Sequence, residues 1–154
     1  GYESLFSSRA YIWSRSIPLL KKYIIVGAGP DMFPIAFPQD DYVGKLNAMS
    51  LRTVVDKPNN MYVQMGVNTG VISLLAMLSI FVMYIIDSFK LYINRTFNGL
   101  KDYIGVGMFA SVTAYLVSGF FNDQIISVAP VFYAMLALGI AINRMILQED
   151  LMKK

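Results

Sequence analysis

The chain of 154 residues contains no cysteine and no histidine. Without cysteine there is no disulfide framework and no thiolate to act as nucleophile or ligand. Without histidine the commonest general base and the commonest metal ligand are both missing. Charge is scarce too: 15% of residues are Asp, Glu, Lys or Arg, against about 25% in ordinary soluble domains. The net charge is +3 with no block of Lys and Arg, so no nucleic-acid partner is expected. No basic stretch followed by an apolar segment and a small-residue cleavage site marks a signal peptide. Because the chain opens on Gly1, the expectation is a piece of something longer or a trimmed chain.

What is abundant is apolar. Hydrophobic residues make up 56% of the chain and the mean hydropathy is +0.52. Three runs carry no charge: 58–86, 103–122 and 124–143. A helix needs about 20 apolar residues to cross the hydrocarbon core, and buried helices of a soluble core would show charged faces that these runs lack. The expectation is an all-α membrane protein. Residues 65–154 would form three transmembrane helices near 65–86, 103–121 and 128–147, with Pro130 in the first turn of the third. Residues 1–64 would form an extracytoplasmic loop region with an amphipathic helix.

Orientation follows from the short loops. Lys90, Arg95 and Lys101 lie between the first two expected spans, and Arg144, Lys153 and Lys154 lie at the end of the third. The turn Asn122-Asp123-Gln124 has neither Lys nor Arg. The positive-inside rule then places 87–102 and the C-terminus in the cytoplasm, and 122–124 and 1–64 outside. Gly66/Gly70, Gly107/Ser111, Ala110/Ala114 and Ala137/Ala141 have the spacing that lets membrane helices approach closely.

In the first 64 residues, "SSRAYIWSRSIPLLKKYIIVGAGPDMF" reads as an amphipathic helix. Ser7 or Ser8 would cap it, Pro18 would kink or end it, and "GAGP" at 27–30 would stop it. Tyr11, Trp13 and Tyr23 suit a membrane interface. The stretch 31–57 reads as ordered loop with short helical turns. "GAGP" is no nucleotide fingerprint, because the third Gly and the βαβ setting are missing.

Five residues are candidates for chemistry. Arg9, at a helix start, could grip a phosphate with paired hydrogen bonds or anchor the helix among headgroups. Arg15, six residues on, could share its side. Asn59 and Asn60 could cap the following helix or hold a hydroxyl. Asp123, in an outer turn between two membrane helices, could be functional or could cap the next helix. Lys21, Lys22, Lys45 and Arg52 read as solvated or headgroup contacts. Asp40 and Asp41 are adjacent, a poor spacing for one ion, so no metal site is expected.

In this order, "SSRAYIW", "GAGPDMFPIAFPQDDY" and "VDKPNNMYVQMGVNTGVISLL" followed by two further membrane helices resemble the C-terminal part of the O-antigen ligase and O-antigen polymerase superfamily. These are multi-spanning bacterial membrane glycosyltransferases with a large extracytoplasmic loop. The family usually shows Ser-Gly-Arg-Gly where this chain has Ser8-Arg9-Ala10. It usually shows His-Asn where this chain has Asn59-Asn60, with Val63 and Asn68-Thr69-Gly70 following. The resemblance implies transfer of a glycan from undecaprenyl diphosphate to an acceptor hydroxyl, without metal or cofactor. Arg9 matches the arginine that stabilises the leaving diphosphate. Asn59 stands where the family histidine positions or deprotonates the acceptor. Either Asn59 only orients it, another base acts, or the site is impaired; a non-catalytic homologue acting in polysaccharide assembly or transport is the alternative. The implied partners are the lipid bilayer of the bacterial cell membrane, the lipid-linked glycan and the remaining N-terminal part of the parent. This portion alone is expected to be inactive.

Overall fold

The computed structural model describes residues 8–152; Ser7, Lys153 and Lys154, named above as a cap and as cytoplasmic charges, lie outside the described residues. Among the described residues every regular element is a helix. The chain divides into two compact units, one made of residues up to Met77 with Gly119–Gln124, the other of Leu78–Ser118 with the residues from Ile125 on.

The first unit holds α1 (Arg9–Lys22), α2 (Phe33–Ala36), α3 (Tyr42–Ala48), α4 (Met61–Thr69) and the first turns of α5 (Val71–Tyr92). Tyr11 and Ile12 of α1, Phe33 and Phe37 at either end of α2, Val55, and Val63 and Val67 of α4 form its core. Val63 and Val67 are four apart, so one face of α4 supplies both. Helix α1 runs through Pro18 to Lys22. Pro18 lies on its exposed side, where water can take the hydrogen bond that proline breaks. Ser8 does not cap α1. Its backbone is left-handed (φ 67°) and its side chain makes no capping bond; the hydroxyl instead donates to the Ala48 carbonyl at the end of α3. Lys45, expected as a solvated or headgroup contact, is only 4% exposed and its Nζ donates to Gln39 Oε1 at 3.0 Å.

The span expected over 65–86 is two helices. Helix α4 ends at Thr69, Gly70 has φ 99°, and α5 begins at Val71. The segment after α1 seals this break. Ala28 N and Gly29 N donate to the Val67 and Asn68 carbonyls at 2.7 and 3.1 Å, and Val71 N and Ile72 N donate to the Tyr23 and Ile24 carbonyls at 3.0 and 3.1 Å. Helix ends leave such groups unpaired, and here one strip of backbone serves both ends. Gly70 makes room for this strip, and Gly66 makes room for the Leu20 side chain of α1. A Cβ on Gly66 would meet the Leu20 side chain, and one on Gly70 would lie 2.7 Å from the Ile25 carbonyl oxygen.

The second unit holds the rest of α5, α6 (Leu100–Ser118) and α7 (Ala129–Met152). Helices α5 and α7 are long and apolar enough to cross a membrane. Helix α6, of 19 residues, has Lys101 and Asp102 in its first turn and is not among them. Pro130 falls in the first turn of α7, as its geometry requires. Helix α5 continues past exposed Asp87 and Lys90 to Tyr92, and the expected 87–102 loop shrinks to 93–99.

The small-residue pairs of α6 and α7 do not pack in this chain. Ala110, Ala114, Ala137 and Ala141 are exposed, and Gly107 has open space where a Cβ would stand. Gly105 and Gly139 do pack, against the hydroxyls of Tyr92 and Tyr84. Tyr92 Oη donates to Asn143 Oδ1 at 2.7 Å, and Asn143 Nδ2 donates to the buried Ser88 Oγ at 2.7 Å. At the end of the unit Arg95 bridges Asp102 and Asp150, each at 2.6 Å, and Lys101 pairs with Glu149.

Candidate functional site

Asn60 is the centre of a knot in the first unit. Its backbone is extended (φ −160°) and its Oδ1 accepts from Tyr62 N and Val63 N, both at 3.0 Å. That is the geometry of a helix N-cap, and it is Asn60, not Asn59, that caps α4. The other half of the amide faces the turn before α7. Asn60 Nδ2 donates to the Phe120 carbonyl at 3.0 Å, and Asn60 N donates to Asp123 Oδ1 at 3.3 Å. Met61 N donates to the Gly119 carbonyl at 2.8 Å, and Gln124 N donates to Gln64 Oε1 at 2.8 Å. Tyr62 packs on Phe120 with ring centroids 4.8 Å apart.

Asn59 precedes the cap with φ 50°, a left-handed conformation that Asn tolerates better than most residues. It is half-buried, and its backbone N–H also reaches Asp123. Pro58 is buried, and its carbonyl accepts the Trp13 indole N–H at 2.9 Å. Trp13 also lies against Phe121, with ring centroids 6.5 Å apart. Thus α1, the stretch 58–60 and the turn 119–124 meet at one place.

Burial pushes the Asp123 carboxyl above its ordinary value, while the N–H groups of Asn60 and Asn59 and the charge of Lys57 hold it back. Asp123 does not cap α7; it receives two amides from the 59–60 stretch.

The five candidate residues separate into two places. Asn59, Asn60 and Asp123 are in mutual contact. Arg9 opens α1 one turn before Trp13 on the same face, since residues four apart stack on a helix. Arg15 is turned away, because six residues rotate a helix by about 600°, leaving it about 120° from Arg9. Its Nε donates to Asp41 Oδ2 at 2.8 Å, and Asp41 Oδ1 accepts from Gly44 N at 3.0 Å to cap α3. The Gly44 N–H and the Arg15 guanidinium hold the Asp41 carboxyl below its ordinary value. Trp13, Phe120 and Gln64 were not legible as members of this knot. Their partners lie 45 to 60 positions away in sequence, and no local pattern announces a pairing across such a distance.

The knot gathers the Asn59 and Asn60 amides around the Asp123 carboxylate, and Arg9 stands at the N-terminus of α1, four residues before Trp13. Comparison with family models, with curated proteins and with solved structures finds no match to the chain.

Proposed function

We propose that the chain is the C-terminal portion of a bacterial membrane glycosyltransferase, a ligase or polymerase of surface polysaccharide, that moves a glycan from undecaprenyl diphosphate to an acceptor hydroxyl. The observation that carries this reading is the junction of two sequence motifs. The Arg9-containing "SSRAYIW" and the "DKPNN" stretch are joined by the Trp13–Pro58 hydrogen bond within one unit. In the reaction the acceptor oxygen attacks the anomeric carbon, the bond from that carbon to the phosphate oxygen breaks, the lipid diphosphate leaves with that electron pair, and the hydroxyl proton passes to solvent. Arg9 stabilises the departing charge. Asn59 orients the acceptor, and an amide takes no proton near neutral pH.

The topology in this proposal is three spans: α5, α6 and α7. Residues 1–64 and the 122–124 turn face outside, and the 93–99 loop and the C-terminus face the cytoplasm. Two observations support α6 as a span. Its 19 residues reach about 28 Å, close to the ~30 Å core. Its two charges, Lys101 and Asp102, are both paired, with Glu149 and Arg95.

A second reading, a non-catalytic homologue acting in polysaccharide assembly or transport, is favoured by one observation: the chain has no histidine, and Asn59 occupies that place. Glycan transfer from a lipid-linked donor by the full-length parent separates the two. Losing a bidentate charged contact removes about 1.5–3 kcal/mol, so Arg9→Lys lowers transfer about tenfold or more at unchanged membrane level. Asn59→His preserves or raises transfer and makes it depend on pH near about 6.5. Unchanged transfer by Arg9→Ala would remove the assigned role. Silence of both the wild type and Asn59→His would leave the second reading.

A further inference from the structure

The segment that seals the helix break shows an unusual combination. Ile24, Ile25 and Val26 are 52%, 74% and 76% exposed, three large aliphatic side chains in a row. Their backbone is nonetheless tied down at both ends by the four hydrogen bonds to Val67, Asn68, Val71 and Ile72 described above. An apolar triplet that the fold pins open in this way is held out for something other than water.

We infer that residues 21–30 form a short re-entrant insert whose occupant is the lipid bilayer, entered at its outer leaflet. Four features fit this. The segment is level with the start of α5, because Val71 and Ile72, its first two residues, are the ones bonded to Tyr23 and Ile24; where α5 enters hydrocarbon, Ile24 and Ile25 are beside it. Residues 23–30 carry no charge, yet exposed Lys21 and Lys22 stand on one side and exposed Asp31 on the other. A stretch that short cannot cross, so it dips in and returns. Backbone at hydrocarbon depth must have its polar groups paired within the protein, and the bonds to the ends of α4 and α5 supply this. Finally, Lys22 Nζ lies 5.4 Å from the Tyr23 ring centroid, which sets a cation and an amphipathic aromatic together at the boundary, where phosphate headgroups meet acyl chains.

The inference rests on the membrane reading of α5, and the test separates the two. The chain has no cysteine, so single spin labels can be placed at Ile25→Cys, Val26→Cys, Val82→Cys in α5 and Arg52→Cys in the exposed stretch after α3. The protein is reconstituted in phosphatidylcholine vesicles with a phosphatidylglycerol fraction. Collisions with oxygen, which concentrates in lipid, are compared with collisions with a water-soluble nickel chelate. The expected result is that labels at 25 and 26 favour oxygen, as the label at 82 does, and that only 52 favours nickel. Oxygen preference at 82 together with nickel preference at both 25 and 26 overturns the insert alone. Nickel preference at 82 overturns the membrane reading on which it rests. Spin–spin broadening at 25 and 26 that disappears on dilution with unlabelled protein assigns the triplet to a second copy of the chain and also overturns the lipid assignment.

Discussion

Asp123 and Asp41 belong to the same unit, and their pKa values are shifted in opposite directions. Burial raises Asp123, whereas the Gly44 N–H and Arg15 lower Asp41. The signs follow from linkage. For Asp123 the folded pKa is above the unfolded one, so its contribution is fully present below the ordinary 3.8 and is lost as pH rises through the folded value. For Asp41 the contribution is present above 3.8 and is lost as pH falls through the folded value. Asp123→Asn keeps an oxygen for the Asn59 and Asn60 amides and removes the burial of a charge. Its thermal midpoint in detergent is therefore expected at or above wild type at pH 7, with the gap closing as pH falls toward 3.8. A midpoint well below wild type at pH 7 would mean that the charge itself is needed. Asn60→Ala behaves differently. It removes the cap of α4 and the tie to Phe120 together, and loss of a cap alone is about 0.5–2 kcal/mol, so its midpoint falls by several degrees. Asn59→Gly, which keeps the left-handed backbone available, stays close to wild type in the same scan.

At the scale of elements, the charge-free runs announced the apolar helices, but charge counting measures affinity for lipid and not helicity. It missed the interruption at Gly70, whose φ of 99° ends α4, because glycine at this spacing also reads as a packing motif. It ended α5 at 86, although Asp87 and Lys90 are exposed and the helix continues past them. A cap at Asn59 or Asn60 was legible because it is local, and the structure assigns it to Asn60. The Arg95–Asp102–Asp150 bridge was not, because Asp150 is 55 positions from Arg95, and Arg95 by itself reads as a cytoplasmic loop residue. The seal over the break depends on one further glycine. A Cβ at Gly27 would run into the Asn68 carbonyl, and both partners there are backbone, which cannot swing aside. Gly27→Ala is therefore expected to open the 23–29 strip. The slow amide exchange of Ala28, Gly29, Val71 and Ile72 is expected to be lost while that of the helix interiors in the second unit is kept. Unchanged protection at those four amides would show that the strip does not hold the break.

At the scale of the whole molecule, the proposed topology puts the Asn59–Asn60–Asp123 knot on the non-cytoplasmic side, with α6 crossing back between Asn98 and Asn122. Two helices are long and apolar enough to cross by composition; α6 as a third span belongs to the proposed topology, and the pairing of its Lys101 and Asp102 charges is compatible with it. The most direct test uses single cysteines at Ser50, Asn98 and Asn122 in this cysteine-free chain, treated on intact cells with an impermeant thiol reagent. The account predicts labelling at 50 and 122 in intact cells, and at 98 only after permeabilisation. Labelling at 98 with 50 and 122 silent would invert the molecule, and equal labelling at 98 and 122 would deny that α6 crosses; either result would contradict a site on the outer face.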